Sequence, residues 1–113
     1  MKIYHNPRCR KSREALVFLQ EKGINPEVIE YLKSVPSEEE LQELVAKLGM
    51  KPEDLLRKGE EIYKDQFKGK ELSDAQWIKA MVEHPKLIER PIVEKGGKAV
   101  VARPAEKVEE LGL

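Results

Sequence analysis

The stretch Tyr4-His5-Asn6-Pro7-Arg8-Cys9-Arg10-Lys11-Ser12 organises the chain, because it joins a short apolar run to an amphipathic one around the only cysteine. Lys2-Ile3-Tyr4 before it reads as a strand, and Arg13 to Lys22 after it reads as a helix stopped by Gly23. Cys9 therefore falls at a strand-to-helix turn, on the first residues of the helix. Orphan backbone N–H groups and the positive end of the helix dipole there favour a thiolate over a thiol. His5, Arg8, Arg10, Lys11 and Arg13 add positive charge, and no acid appears before Glu14. A free thiol is only about 3% ionised at pH 7, and lowering its pKa by roughly two makes most of it thiolate. A lone cysteine is more often a small buried hydrophobe, but that role suits so cationic a neighbourhood poorly, so Cys9 is a candidate nucleophile.

Beyond Gly23, residues 26–32 (Pro-Glu-Val-Ile-Glu-Tyr-Leu) read as a second strand. Strand, helix, strand in so few residues is a βαβ unit, which implies parallel pairing and a right-handed crossover, with Ala15, Leu16 and Leu19 turned to the sheet. Ser37 with Glu40 has the capping-box pattern, and Leu41, Leu44, Val45 and Leu48 follow at helical spacing up to Gly49. Pro52 suits the first turn of a short helix through Arg57. Residues 60–72 are ambiguous between a loop and a broken helix, with Ile62, Tyr63 and Phe67 packing inward. A second capping box, Ser73 with Gln76, opens a helix whose buried face is Trp77, Ile78, Met81 and Val82 and which Pro85 ends. Residues 91–95 and 98–102 around Gly96-Gly97 read as a β-hairpin, and Pro104 to Leu111 as a closing helix. The expected fold is α/β: a single domain over residues 1–113, β-α-β, then a helical insertion at about 37–88, then β-β-α, resembling the thioredoxin fold.

The hairpin gives two arginines a defined geometry. A two-residue turn at Gly96-Gly97 sets Arg90 opposite Arg103 at the open end; a four-residue loop keeps that register and a three-residue loop breaks it. Opposed side chains start about 5 Å apart, where like charges repel. An anion held between them would relieve the repulsion, and the alternative is that both simply splay into water. Arg57 at the end of a helix has an ordinary explanation, since a cation there complements the dipole.

Composition narrows the function. The chain has 113 residues, 40% of them apolar, and formal net charge zero. Residues 1–13 carry five basic residues and no acid, which leaves sixteen basic against twenty-one acidic in the remainder. A local positive loop on an otherwise acidic protein suits a small anion better than a nucleic acid. No apolar run is long enough to span a membrane, and no signal-peptide core follows Met1-Lys2, so a cytoplasmic location is expected. One cysteine excludes an internal disulfide and suits a reducing compartment. It also leaves a zinc site without ligands, and no metal is expected. Ala15 stands where a Cys-x5-Arg phosphatase loop needs arginine, and Ser12 where a dithiol motif needs cysteine.

The loop around Cys9 resembles the active-site loop of the glutaredoxin-dependent arsenate reductases, Tyr-His-Asn-Pro-x-Cys-x-x-Ser. Further matches lie at Leu55-Leu56-Arg57-Lys58, Arg90-Pro91-Ile92-Val93 and Arg103-Pro104. The resemblance implies a thioredoxin-like fold with Pro91 cis and facing the nucleophile. It implies that Arg57, Arg90 and Arg103 hold arsenate or a similar small oxyanion while Cys9 attacks arsenic. His5 would help keep Cys9 ionised, and Ser12 would donate a hydrogen bond to its sulfur. No cofactor is implied: glutathione serves as co-substrate and glutaredoxin as partner. Independently of the resemblance, the chain is expected to be a monomer. Arg10 and Lys11 depart from the small or polar residues of well-known members, and the C-terminus is shorter. Two alternatives stand beside this: a monothiol thiol-disulfide oxidoreductase acting on another substrate, and a non-enzymatic protein, like the related transcriptional regulators, that binds RNA polymerase. Those regulators keep an Arg-Pro-Ile segment and lack the equivalent of Arg103-Pro104, so three arginines favour the enzyme.

Overall fold

The computed structural model describes residues 1–112. Four strands form one mixed sheet in the order β2-β1-β3-β4: β1 (Lys2–Tyr4), β2 (Glu27–Ile29), β3 (Ile92–Lys95) and β4 (Lys98–Val101). β1 runs parallel to β2 and antiparallel to β3, which pairs antiparallel with β4. The first pairing is parallel because α1 (Arg10–Glu21) carries the chain back between β1 and β2. This is the thioredoxin-like mixed sheet expected from the sequence.

The chain divides into two compact units: Met1–Ser34 with the segment from Arg90 onward, and Val35–Glu89. In the first, Ile3 and Val93 are cross-strand partners, and both are fully buried with Ala15 and Leu19 of α1. Val108 and Leu111 complete that core from the C-terminal segment. This segment, Ala105–Leu111, is a 3₁₀ helix rather than an α-helix. The apolar residues Ala105, Val108 and Leu111 recur every third position, which three residues per turn stack on one face. Helix α1 begins at Arg10, three residues before the expected start, because the turn ahead of it ends at Cys9. The hairpin has the expected register, Val93 facing Val100 and Lys95 facing Lys98, with Gly96 at φ 61° in the turn.

The second unit is helical: α2 (Glu38–Leu48), α3 (Glu61–Gln66) and α4 (Asp74–Glu83), with 3₁₀ turns at Pro52–Leu55 and Pro85–Leu87. Both capping boxes form, with Ser37 and Ser73 accepting the N–H of Glu40 and Gln76 and those side chains returning the bond. α2 packs against α4, and Leu41, Leu44 and Val45 of the one and Trp77, Ile78 and Met81 of the other are buried. Val82, expected on the buried face, is only half-buried and Ala80 takes its place, one turn on from Trp77. The ambiguous segment resolves into α3 and a turn, whose Tyr63 and Phe67 rings lie 6.5 and 5.9 Å from that of Trp77. An isolated bridge between Leu56 and Ile88 closes the unit, with Arg57 N–H on Leu87 O at 2.7 Å and Glu89 N–H on Leu55 O at 2.9 Å.

Candidate functional site: the cysteine at the start of α1

The residues after β1 build a turn that ends on the cysteine. His5 N–H bonds Ile29 O at 2.8 Å, holding the start of the loop beside β2. Cys9 N–H then bonds Asn6 O at 3.0 Å, and Asn6 Oδ1 accepts Arg8 N–H at 3.0 Å. Asparagine first and proline second in a turn is the arrangement local sterics favour. Cys9 is the N-cap of α1, with φ −94° and ψ 121°, and its carbonyl accepts Arg13 N–H at 3.0 Å. Its Sγ therefore stands where a capping oxygen would otherwise serve the helix.

The electrostatics at Cys9 are a contest. Burial is the largest single influence and pushes the thiol pKa up. The backbone N–H of Ser12, the charge of Arg90, the backbone N–H of Lys11 and an Arg90 hydrogen bond act against it, and the net displacement is downward. The thiol closes no full capping hydrogen bond. The two amides act on sulfur as the donors at the third and second positions of the helix, and a thiolate would strengthen both.

The cation that acts on the sulfur is Arg90, not the basic residues flanking Cys9 in the chain. Arg10 and Lys11 turn to Glu14, at 3.1 and 3.6 Å. Arg13 donates to Pro7 O at 2.9 Å, and its charge falls on His5 instead. Arg90 arrives from the hairpin, half-buried, with Nε and Nη1 shielded from solvent.

His5 and Ser12 come together, though in another way than the resemblance implies. Ser12 is fully buried, its Oγ lies 2.6 Å from His5 Nδ1, and it accepts Asn6 N–H at 3.0 Å. Burial lowers the His5 pKa, Glu30 raises it and Arg13 lowers it, with a net downward result. A neutral ring can accept the Ser12 hydroxyl hydrogen at Nδ1, since Oγ is already the acceptor for Asn6. The Ser12 hydroxyl thus serves the loop, and its backbone N–H serves the sulfur.

Arg103 joins Arg90 at the open end of the hairpin. Ala102 N–H bonds Pro91 O at 2.9 Å, continuing the strand register, and Arg103 Nη1 donates to Arg90 O at 3.3 Å. The Arg90–Pro91 bond is cis, as the resemblance implies; Arg103–Pro104 is cis as well, which nothing in the sequence signalled. Arg57 belongs to the helical unit, where Nη1 lies 3.3 Å from Glu60 and Nε 3.9 Å from Glu89. Among the described residues no cluster of three or more His, Cys, Asp or Glu side chains could hold a metal, and no helix is long and apolar enough to cross a membrane.

A cysteine at a helix start, lowered in pKa and touched by an arginine, can attack an electrophilic oxyanion centre and hold the resulting charge. The ArsC family model matches residues 4–111 of the chain. The uncharacterized protein YfgD of Escherichia coli K12 is 47% identical over 113 residues, 98% of this chain and 95% of its own length. An arsenate reductase of Haemophilus influenzae is 46% identical over 111 residues, 96% of each chain. Among solved structures, an arsenate reductase from Vibrio cholerae superposes with a TM-score of 0.93 at 50% identity, covering 97% of both chains.

Proposed function

The chain belongs to the ArsC family and is by that kinship an arsenate reductase, and from this premise we propose that Cys9 is its nucleophile and that Arg90 and Arg103 hold the oxyanion. The observation that carries the proposal is the Arg90 guanidinium on the Cys9 sulfur, which supplies one cation both to the thiolate and to an oxyanion brought against it. Arg57 enters the proposal by resemblance alone.

The reaction divides into three exchanges. Cys9 thiolate attacks arsenic, and one arsenate oxygen leaves as water after taking up protons, so the S–As bond forms with arsenic still pentavalent. Glutathione thiolate then attacks the Cys9 sulfur of that bond. Arsenic leaves with the bonding pair as trivalent arsenite, and Cys9 is left in a mixed disulfide with glutathione. Glutaredoxin resolves it by thiol-disulfide exchange, returning Cys9 as thiolate. Two thiols are oxidised for each arsenic reduced. With one cysteine, the chain must take the second thiol from outside.

The chain's own groups have limited tasks. The amides of Ser12 and Lys11 and the guanidinium of Arg90 favour the attacking thiolate and its return as leaving group. His5 and Ser12 act on the sulfur through the loop they hold together. We read the two units as a single thioredoxin-like domain with a helical insertion, working as a cytoplasmic monomer; the lone thiol and the mixed charge support this.

The test is arsenite release with glutathione and glutaredoxin, beside a Cys9→Ser control. Alanine at Arg90 or Arg103 should lower turnover with arsenate, and Arg57→Ala tests the third arginine. Wild-type turnover in all three variants would exclude the anion site. A chain that exchanges disulfides but releases no arsenite would be a thiol-disulfide oxidoreductase of another substrate.

A further inference from the structure

A groove of about 670 Å³ runs along the outer face of α1, with the turn at Pro104–Glu106 as its other wall. This is the size of a small-ligand site, and a helix of twelve residues gives it a length of about 18 Å, enough for an extended tripeptide of roughly 11 Å. One end begins at Arg10 and Lys11, the residues that follow Cys9 in the chain. Cys9 is the N-cap immediately before the first turn of α1 and does not itself line the groove.

Its charge is graded. Arg10, Lys11 and Arg13 line the end at the start of α1, and only Glu14 stands against them, shared by Arg10 and Lys11. Arg13 bonds a neutral carbonyl, so its charge is not cancelled there. Further along come Val17, 48% exposed, and Phe18, facing Pro104 and Ala105 across the groove. Glu21 in the last turn and Glu106 on the opposite wall are the carboxylates available to an ammonium.

We propose that this groove docks the thiol co-substrate, a peptide thiol of the glutathione class, with a carboxylate on the Arg10–Lys11–Arg13 cluster and the peptide laid along Val17 and Phe18. The proposal rests on the arsenate reductase reading for its chemistry. Its own warrant is charge complementarity: two carboxylates and one ammonium on the ligand meet a cationic head and acidic flanks on the groove. It also gives Arg10 and Lys11, which spend no charge on the Cys9 sulfur, a part in the cycle. Because Arg10 is 84% exposed, binding is weak and falls with ionic strength.

The test uses Arg10→Glu and Val17→Glu, two exposed positions where substitution leaves the fold intact. Each should raise the KM for glutathione about fivefold, and leave unchanged the KM for arsenate and turnover driven by 2-mercaptoethanol, a neutral thiol. Unchanged KM for glutathione, or an equal loss with both thiols, overturns the proposal. In a second measurement, S-methylglutathione is titrated into the ¹⁵N-labelled wild-type protein. Amide shifts at Lys11, Val17, Phe18 and Ala105 support the groove, and shifts elsewhere or none overturn it. Should the wild type release no arsenite, the arsenate reading fails, and the titration still decides the groove.

Discussion

Replacing Ser12 by alanine separates two roles that the sequence runs together. The side chain is fully buried, its Oγ lies 2.6 Å from His5 Nδ1, to which it donates when the ring is neutral, and it accepts Asn6 N–H at 3.0 Å. Alanine would leave the His5 nitrogen buried without its donor, at a cost of about 2 kcal/mol, and the half-buried Asn6 amide without its acceptor, at about 1 kcal/mol more. For a domain of this size a loss of about 3 kcal/mol lowers the melting temperature by roughly 13 °C. The sulfur, by contrast, draws on the backbone N–H of Ser12, which alanine keeps. Thermal melting followed by circular dichroism should therefore drop, while the pH midpoint of Cys9 alkylation by iodoacetamide, taken at 25 °C where the variant is folded, should stay. An unchanged melting temperature with a raised alkylation midpoint would refute this reasoning, since it would mean the hydroxyl acts on the sulfur and not on His5.

Arg90→Gln should raise the pH midpoint of Cys9 alkylation, because the guanidinium charge and hydrogen bond both favour the thiolate; Arg10→Gln should not move it. His5→Gln should flatten the acid side of the stability curve. The His5 pKa lies below its ordinary 6.5 in the folded state through burial, with Glu30 opposing and Arg13 assisting. Wild-type stability is thus complete above about 6.5 and falls with pH below it, as the unfolded chain takes up a proton the buried ring refuses; urea midpoints at pH 7.5 and 5.5 measure the difference. Leu19→Ala, at a fully buried position of the core beside the sheet, should cost about 2–5 kcal/mol in the same denaturation assay.

What could be read in the sequence was whatever a few adjacent residues decide. Gly96-Gly97 marks the hairpin, and a two-residue turn there, the one that forms, makes Arg90 and Arg103 neighbours across a gap of twelve residues. Ser37 with Glu40 and Ser73 with Gln76 announce their helices because each pair satisfies its own orphan amides. Three features depart from the sequence expectation. The basic residues around Cys9 suggested that they tune it, yet side-chain direction sends Arg10 and Lys11 to Glu14 along the helix, where residues three and four apart meet. The tuning charge comes from Arg90, which only the β1–β3 pairing brings to the loop. The Ser12 hydroxyl could have reached the sulfur or His5, and its burial against an imidazole kept neutral decides for His5. The closing segment forms a 3₁₀ helix where an ordinary helix is expected, and its apolar spacing of three suits the tighter form. The nucleophile was thus visible in one loop, while the charge that makes it reactive depends on a strand pairing that brings a distant residue to it.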